Sequence, residues 1–410
     1  MHTLRAWVLG RSSTLIGFDI RNPLKGGFWL LASQVIASTS ALGLMSAFAY
    51  LSSQEVFGAY QYIISTAALV GILTLPGLNQ ALVRAVAQGK EATFHTVVSL
   101  RARGAVIMML ALLVVAGYYA FNENSALSLS FAIAAFLIPI MRVSETFLPL
   151  WQGRSRWREY AAYESISNAL PALLFIPALF LTQNLVAVIA VYLIVYTAVR
   201  GVLFLVTRNT VKGKIHDKQA NRFGAHLSLM HFFQMGAEQL DRIILWHIAG
   251  PAAVAVYSFA FLPTQRIRGF FPVDILALPK MSTLQEGHPK KRVLRAFFVL
   301  LLLILCVGVL AAVSAPIIYP FFFPGYSESI LYFQVLLMTL LIVPFVFLET
   351  KLVALSQTRR LYITRSAPLA LRLLLYIFLA PLFGIWGIIA ATLIATILYG
   401  ILVLVFFAWS

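Results

Sequence analysis

The connections between the apolar stretches of this chain alternate between two kinds, and that alternation limits the fold more than any other feature. Six stretches, 1–26, 79–103, 151–162, 208–226, 280–295 and 351–365, hold 25 of the 31 Lys and Arg residues. The six connections between them, 52–58, 122–126, 182–184, 249–253, 315–327 and 381–386, hold none. Membrane insertion keeps short positive loops in the cytoplasm. The pattern therefore predicts an all-α polytopic membrane protein with twelve transmembrane helices and both termini cytoplasmic. A missed or extra helix would strand a basic loop on the wrong side, so the charge also tests the count. Helices are expected near 27–51, 59–78, 104–121, 127–150, 163–181, 185–207, 227–248, 254–279, 293–314, 328–350, 362–380 and 387–408. Only helices and closed barrels satisfy backbone polar groups in lipid, and these runs are too long and too apolar for barrel strands.

Composition agrees where it discriminates. Charged residues make up 11% of the chain, against about a quarter in soluble domains. The net charge of +17 lies on one side of the membrane, where anionic lipid attracts it, so a nucleic-acid partner is rejected. The single cysteine, Cys306, excludes an intrachain disulfide and a Cys-based metal cluster. No GxxxxGK[ST] loop, HExxH pair or nucleophile elbow occurs. The chain is accordingly read as no enzyme, with no cofactor and no metal, and transport would draw on a gradient, the membrane potential or mass action. Residues 1–26 interrupt their apolar runs with Arg5, Arg11, Asp19, Arg21 and Lys25, and are read as a cytoplasmic interfacial lead-in. Trp29, Tyr118, Trp151 and Trp409 are expected in the interfacial aromatic belts.

The longest basic link, 208–226, separates an N-terminal six-helix bundle (27–207) from a C-terminal one (227–410). The halves are weakly alike: Ser52 to Tyr60 (SSQEVFGAY) and Ala249 to Tyr257 (AGPAAVAVY) both follow the first helix of a half. Six helices per half give both the same orientation, so two pseudo-symmetric bundles are expected, with a site between them near the midplane. Ser33, Ala37 and Ala41, and Gly387, Ala391 and Ala395, offer small-residue seams for helix packing.

Six basic residues remain inside the expected spans: Arg142, Arg200, Arg242, Arg266, Arg268 and Arg372. Six acids join them: Glu145, Glu164, Glu238, Asp241, Asp274 and Glu349. A central charge costs roughly 2.5–3.5 kcal/mol even on lenient insertion scales, so these groups should face a wet cavity or one another. Glu164, Asp274 and Glu349 lie toward helix ends and are read as solvated or interfacial. Arg142 and Glu145 share a helix face, as do Glu238, Asp241 and Arg242. Internal pairs, Arg142–Glu145 or Glu238–Arg242, compete with a cargo role for these groups. Arg266 and Arg268 are two apart and cannot both face one cavity unless Pro263, Gly269 and Pro272 break the helix. Arg372 has no acid at helical spacing. Arginine grips phosphate with a planar fork and stays charged when buried. Arg142, Arg266, Arg372, Arg242 and Arg268 are therefore the candidate substrate-binding residues for a phosphate-bearing cargo. Glu238, Asp241 and Glu145 are the candidates for ion coupling.

The chain also resembles a known family. The resemblance runs over roughly 27–408 and rests on EVFGAY (Glu55 to Tyr60), PGLNQALVRAVAQGK (Pro76 to Lys90), AEQLDRIILWHIAGPAAVAVYSFA (Ala237 to Ala260), LALPKMS (Leu276 to Ser282) and FFFPGYSES (Phe321 to Ser329). These segments resemble polysaccharide flippases of the multidrug/oligosaccharidyl-lipid/polysaccharide exporter superfamily, the O-antigen and exopolysaccharide translocases. The resemblance implies a V-shaped pair of six-helix bundles and alternating access in the bacterial inner membrane. It implies a polyprenyl (undecaprenyl) diphosphate-linked oligosaccharide as cargo, for lipopolysaccharide or exopolysaccharide synthesis. Membrane lipids and a polysaccharide polymerase or export machinery are the implied partners. One departure stands out: the first span carries no charge, so nothing there matches an ionic site. A cation-coupled multidrug antiporter of the same superfamily is the alternative reading. A membrane polysaccharide polymerase or ligase ranks below both, because the longest outer connection, 315–327, offers no ionisable group except its tyrosines.

Overall fold

The computed structural model of the protein describes residues 23–213, 215, 217, 220–271, 273, 290–354 and 358–409. The lead-in 1–22, Asp274 and the LALPKMS segment lie outside the described residues. The described elements are all helical.

Helix α1 spans Pro23–Leu51 and α2 Gln54–Val70. A 3-10 turn, Gly71–Thr74, and left-handed Leu75 (φ 54°) lead into the short α3, Gly77–Ala87. Helix α4 is Thr93–Phe121 and α5 Ser125–Ser144. After a break at Glu145 and Thr146 comes α6, Phe147–Gly153, and then α7, Trp157–Leu181, and α8, Leu185–Arg208. The second half begins with α9, Ala220–Gly269, a pair of helical arms bent at Gly250 (φ 78°). It continues with α10, Lys290–Phe322, and α11, Ser329–Leu336, which runs through a 3-10 turn into α12, Ile342–Ala354. Helices α13, Thr358–Phe383, and α14, Ile385–Ala408, complete it.

Eleven described runs are long and apolar enough to cross a membrane. One of them, Glu238–Gly269, straddles the bend at Gly250, and dividing α9 there gives the twelve expected spans. Three expected connections are shorter than the charge pattern suggested. Helix α10 carries Pro316 and Pro320 yet stays helical to Phe322, which absorbs most of 315–327. Backbone polar groups at membrane depth must be satisfied within the segment, and that requirement outweighs the loss of a donor at each proline. The connection 208–226 contracts to 209–219, and 381–386 to Gly384 alone.

The charge-free turns use two chemistries. In the first half a neutral side chain caps the returning helix. The Ser53 hydroxyl accepts from Val56 N–H at 3.3 Å, Asn124 Oδ1 from Leu127 N–H at 3.1 Å, and Asn184 Oδ1 from Val186 N–H at 2.9 Å. Such caps satisfy amides that a helix start leaves open. In the second half the turns pass through left-handed glycines, Gly250, Gly325 (φ 83°) and Gly384 (φ 56°).

The two halves meet along α2 and α9, and the matching segments of the internal repeat touch each other there. Gly58 backs onto the Pro251 carbonyl so closely that a Cβ would lie 1.9 Å from its oxygen. Phe57 packs on Phe259 with centroids 4.7 Å apart, and Phe259 stacks on Tyr326 at 3.7 Å. Tyr62 stacks on Trp246 at 4.4 Å, and Gln54 donates across the seam to the Gly325 carbonyl at 3.0 Å. A second seam lies at the basic end. There Gly77 N–H donates to Ser228 Oγ at 3.0 Å, and a Cβ on Gly77 would lie 2.4 Å from the Ser228 nitrogen. The halves thus touch at both ends. Of the expected small-residue seams, Ser33 and Ala37 are buried, and Gly387 lets α14 approach α13 until its Cβ position lies 2.0 Å from the Leu379 carbonyl oxygen.

One ion pair pins the basic face. Arg154 grips Glu91 as a fork, Nε to Oε1 at 2.9 Å and Nη2 to Oε2 at 2.8 Å, and also donates to Thr210. This hydrogen bond holds the Glu91 carboxyl below its usual range. A group with a depressed folded pKa stabilises the fold above the unfolded carboxylate range, and the contribution disappears as pH falls through the folded value. Glu91→Gln should therefore lower stability by about 1 kcal/mol at neutral pH. The difference from the parent should vanish in acid, as thermal unfolding of the purified proteins across pH will show.

Candidate functional site

The intramembrane charges form two tiers. By helical rise, Arg142, Arg200 and Arg266 lie about 22–26 Å along α5, α8 and the second arm of α9 from the charge-free face. Arg242 and Arg372 lie about 10–17 Å from it along the first arm of α9 and α13. Arg266 is therefore deeper than the expected span 254–279 places it, because its arm begins at Pro251 rather than near 254.

Two arginines of the deeper tier, Arg142 and Arg200, flank one carboxylate. Glu145 caps the C-terminus of α5, where the helix breaks before α6. Its Oε2 lies 3.4 Å from Arg142 Nη1, and its Oε1 accepts from Arg200 Nη1. The Arg200 guanidinium also covers the Tyr196 ring, 5.5 Å from its centroid. Arg266 reaches this group from the other half: it interacts electrostatically with Tyr196 and Tyr192 of α8. No salt bridge of Arg266 occurs among the described residues. The Arg142, Glu145 and Arg200 side chains keep 30%, 20% and 16% of their exposure.

Arg101, part of the basic stretch 79–103, lies beside this tier on α4. It is 2% exposed. Its Nη1 donates to Asn79 Oδ1 at 2.6 Å and Thr146 Oγ1 at 3.0 Å, and its Nη2 to the Arg142 carbonyl at 2.6 Å. The last bond places a cation on the open C-terminal carbonyls of α5, where the helix dipole favours it. Arg101 thus ties α3, α4 and α5 together and positions Arg142 through its backbone.

The shallower tier is a network. Asp241 is fully buried, accepts from Tyr257 Oη at 2.7 Å, and lies 4.0 Å from Arg372 Nη2. Arg372 Nε donates to Tyr376 Oη, which bonds Thr392 at 3.0 Å. Sequence spacing gave Arg372 no acid; the acid comes from α9. Arg242 donates to Ser65 Oγ and Gln239 Oε1, both at 3.1 Å, rather than to Glu238 in the expected pair, and covers the Phe261 ring. Glu238 is exposed.

Arg266 and Arg268 diverge. The second arm of α9 stays helical through Pro263 to Gly269, so no break separates the two arginines, and Arg268 interacts with Tyr399 of α14 instead. Three other expectations are corrected. Glu349 is 5% exposed, accepting from Arg365 at 2.7 Å and Tyr399 at 2.8 Å, because α13 and α14 supply partners to it. Glu164 turns inward and accepts from the buried Ser33 at 2.6 Å. Trp151 is 5% exposed rather than interfacial, since its indole N–H donates to Thr207 between α6 and α8. Arg200, outside the five candidate arginines, is the residue most directly bound to Glu145. Arg154 and Arg101 show why charge counting alone misplaces such groups: both belong to basic stretches, and both are paired inside the fold.

Comparison with known proteins follows the same outline. A family model described as polysaccharide biosynthesis protein matches residues 24–285. No curated protein sequence matches the chain. Among solved structures, lipid II flippase MurJ in its inward closed conformation superposes with a TM-score of 0.67 at 16% identity, covering 93% of this chain and 87% of that one. The eukaryotic MATE transporter AtDTX14 superposes at 0.63 with 14% identity, over 94% and 96%. An outward-facing multidrug resistance MATE family transporter of the MOP superfamily gives 0.59 with 12% identity, over 93% of each chain. At these identities the likeness establishes the fold: twelve membrane helices in two pseudo-symmetric halves.

Proposed function

The chain belongs to the polysaccharide biosynthesis protein family, and on that premise we propose that it flips an undecaprenyl-diphosphate-linked oligosaccharide across the bacterial inner membrane. The basic face is the cytoplasmic one. The bundles run from 27 to 207 and from 227 to 410, with 208–226 as their cytoplasmic link. The observation that carries this reading is the deeper tier, in which Arg142, Arg200 and Arg266 come from three helices and both halves. Arginine outnumbers carboxylate there, and the shortfall of negative charge suits a diphosphate. Sugars occupy the wet space between the halves and the lipid tail stays outside through a lateral opening. Separation of the seam at Gly58 and Pro251 then exposes the site to the far side. Arg372 and Arg242 form the second station, and Arg268 belongs to neither. Asp241, and Glu238 on the same arm, are the acids available for ion coupling.

A lost guanidinium–phosphate bond costs about 1.5–3 kcal/mol. Arg142→Ala, Arg200→Ala and Arg266→Ala should each lower polymer export at least tenfold at matched membrane levels, with the double variants lower still. Undiminished export in all three single variants and in the doubles overturns the docking. The antiporter reading draws on the MATE-like fold, but an organic cation would meet a tier with excess positive charge. Drug resistance on expression without a glycan phenotype would favour it.

A further inference from the structure

Glu145 sits where a bound anion would be expected, and its setting differs from the structural pairs of this protein. Arg154 and Glu91 make a two-pronged fork with both bonds under 3 Å. That geometry is the strong, specific form of an arginine–carboxylate pair. Glu145 instead divides its two oxygens between arginines of two different helices, one oxygen each. The Arg142 contact is long, at 3.4 Å, and Arg142 Nε is buried with no hydrogen-bond partner. Arg101, the third guanidinium acting on Glu145, is already committed to Asn79, Thr146 and the α5 carbonyl. Arg266 lacks a carboxylate among the described residues. A carboxylate bridging two guanidiniums in this way occupies the seat of a phosphate oxygen pair, held closely by Arg200 and only loosely by Arg142.

We propose that Glu145 is a resident stand-in for the cargo's diphosphate: it bridges Arg142 and Arg200 while the site is empty, and cargo binding displaces it. This rests on the docking reading above. The physical need is plain. Clustered arginines inside a membrane are costly without a counter-ion. An empty transporter with no internal anion would carry that cost through its return step. With Glu145 in place the empty site is partly neutralised, and the cargo must outcompete a tethered carboxylate. A diphosphate, with more negative charge and more acceptor oxygens, can do so. Release is then assisted by return of the same carboxylate.

The test uses the purified full-length protein in nanodiscs and two probes, inorganic pyrophosphate and undecaprenyl diphosphate, at fixed ionic strength. Glu145→Gln should bind both probes about tenfold more tightly than the parent, while export in cells falls. Arg142→Ala and Arg200→Ala should bind both more weakly. Glu145→Asp, a second variant should the first fold poorly, shortens the bridge so that one guanidinium is freed, and should tighten binding by a smaller factor. If the arginine variants weaken binding but neither Glu145 variant tightens it, Glu145 only holds the helices and the stand-in idea fails alone. If pyrophosphate tightens and the lipid diphosphate does not, the vacated seat is not the cargo's, and the proposal also fails. If the arginine variants bind both probes like the parent, the docking reading fails with it.

Discussion

Gly58→Ala should yield a protein that folds and inserts normally but no longer closes its charge-free end, with export reduced about a hundredfold. The added Cβ would lie 1.9 Å from the Pro251 carbonyl oxygen and 2.6 Å from its carbon. The neighbour is backbone, at the first position of a helical arm beside Gly250, and it cannot rotate away as a side chain could. Overpacking of this kind costs typically 1–3 kcal/mol, occasionally more. Here it is charged only to the state in which the halves touch. About 2.8 kcal/mol shifts a two-state ratio a hundredfold. Stability of the separate halves is untouched, so membrane levels should match the parent. The shift can be read by placing a cysteine at Ser65, which is buried and accepts from Arg242 across the seam, in a Cys306→Ala background. A water-soluble maleimide should label it in the Gly58→Ala variant and spare it otherwise. Equal labelling and undiminished export would show that the contact is no gate.

Arg101→Ala should instead fail as a fold. The substitution orphans Asn79 Oδ1 and the Arg142 carbonyl, each of which receives a 2.6 Å bond, and opens a cavity under α3, α4 and α5. Breaking a buried charged hydrogen-bond set costs about 3–5 kcal/mol. The protein should be depleted from membranes, and what remains should unfold at lower temperature in detergent. Lysine should rescue only in part, because one ammonium cannot present the planar fork that reaches three acceptors. Arg142→Ala, by contrast, should keep normal levels and lose export. A normal yield of Arg101→Ala would refute the capping role given to this side chain.

The twelve spans were legible because apolarity and loop charge report the same thing, which solvent each stretch meets. That signal holds no information about the direction a side chain faces. Arg101 and Arg154 were therefore counted as loop charges, though both are paired within the fold. Glu349 and Glu164 were placed by depth and read as solvated or interfacial, while their partners Arg365, Tyr399 and Ser33 come from 16 to 131 residues away. Arg372 lacked an acid on its own helix, and Asp241 supplies one from α9. The helix breaks were equally silent. Nothing in the hydropathy marks the 3-10 turn after Val70 or the interruption at Glu145 and Thr146, yet both border the deeper tier. The Arg142–Glu145 pair was legible because its spacing is local; the addition of Arg200 and the approach of Arg266 required the fold.

The aromatic contacts at the charge-free end bear on more than shape. Phe57, Phe259, Tyr326, Tyr62 and Trp246 interlock there with little room between rings. Such a stopper is an electrical insulator. While it stays shut, no ion path crosses this end, and a cell could house many copies without dissipating its voltage.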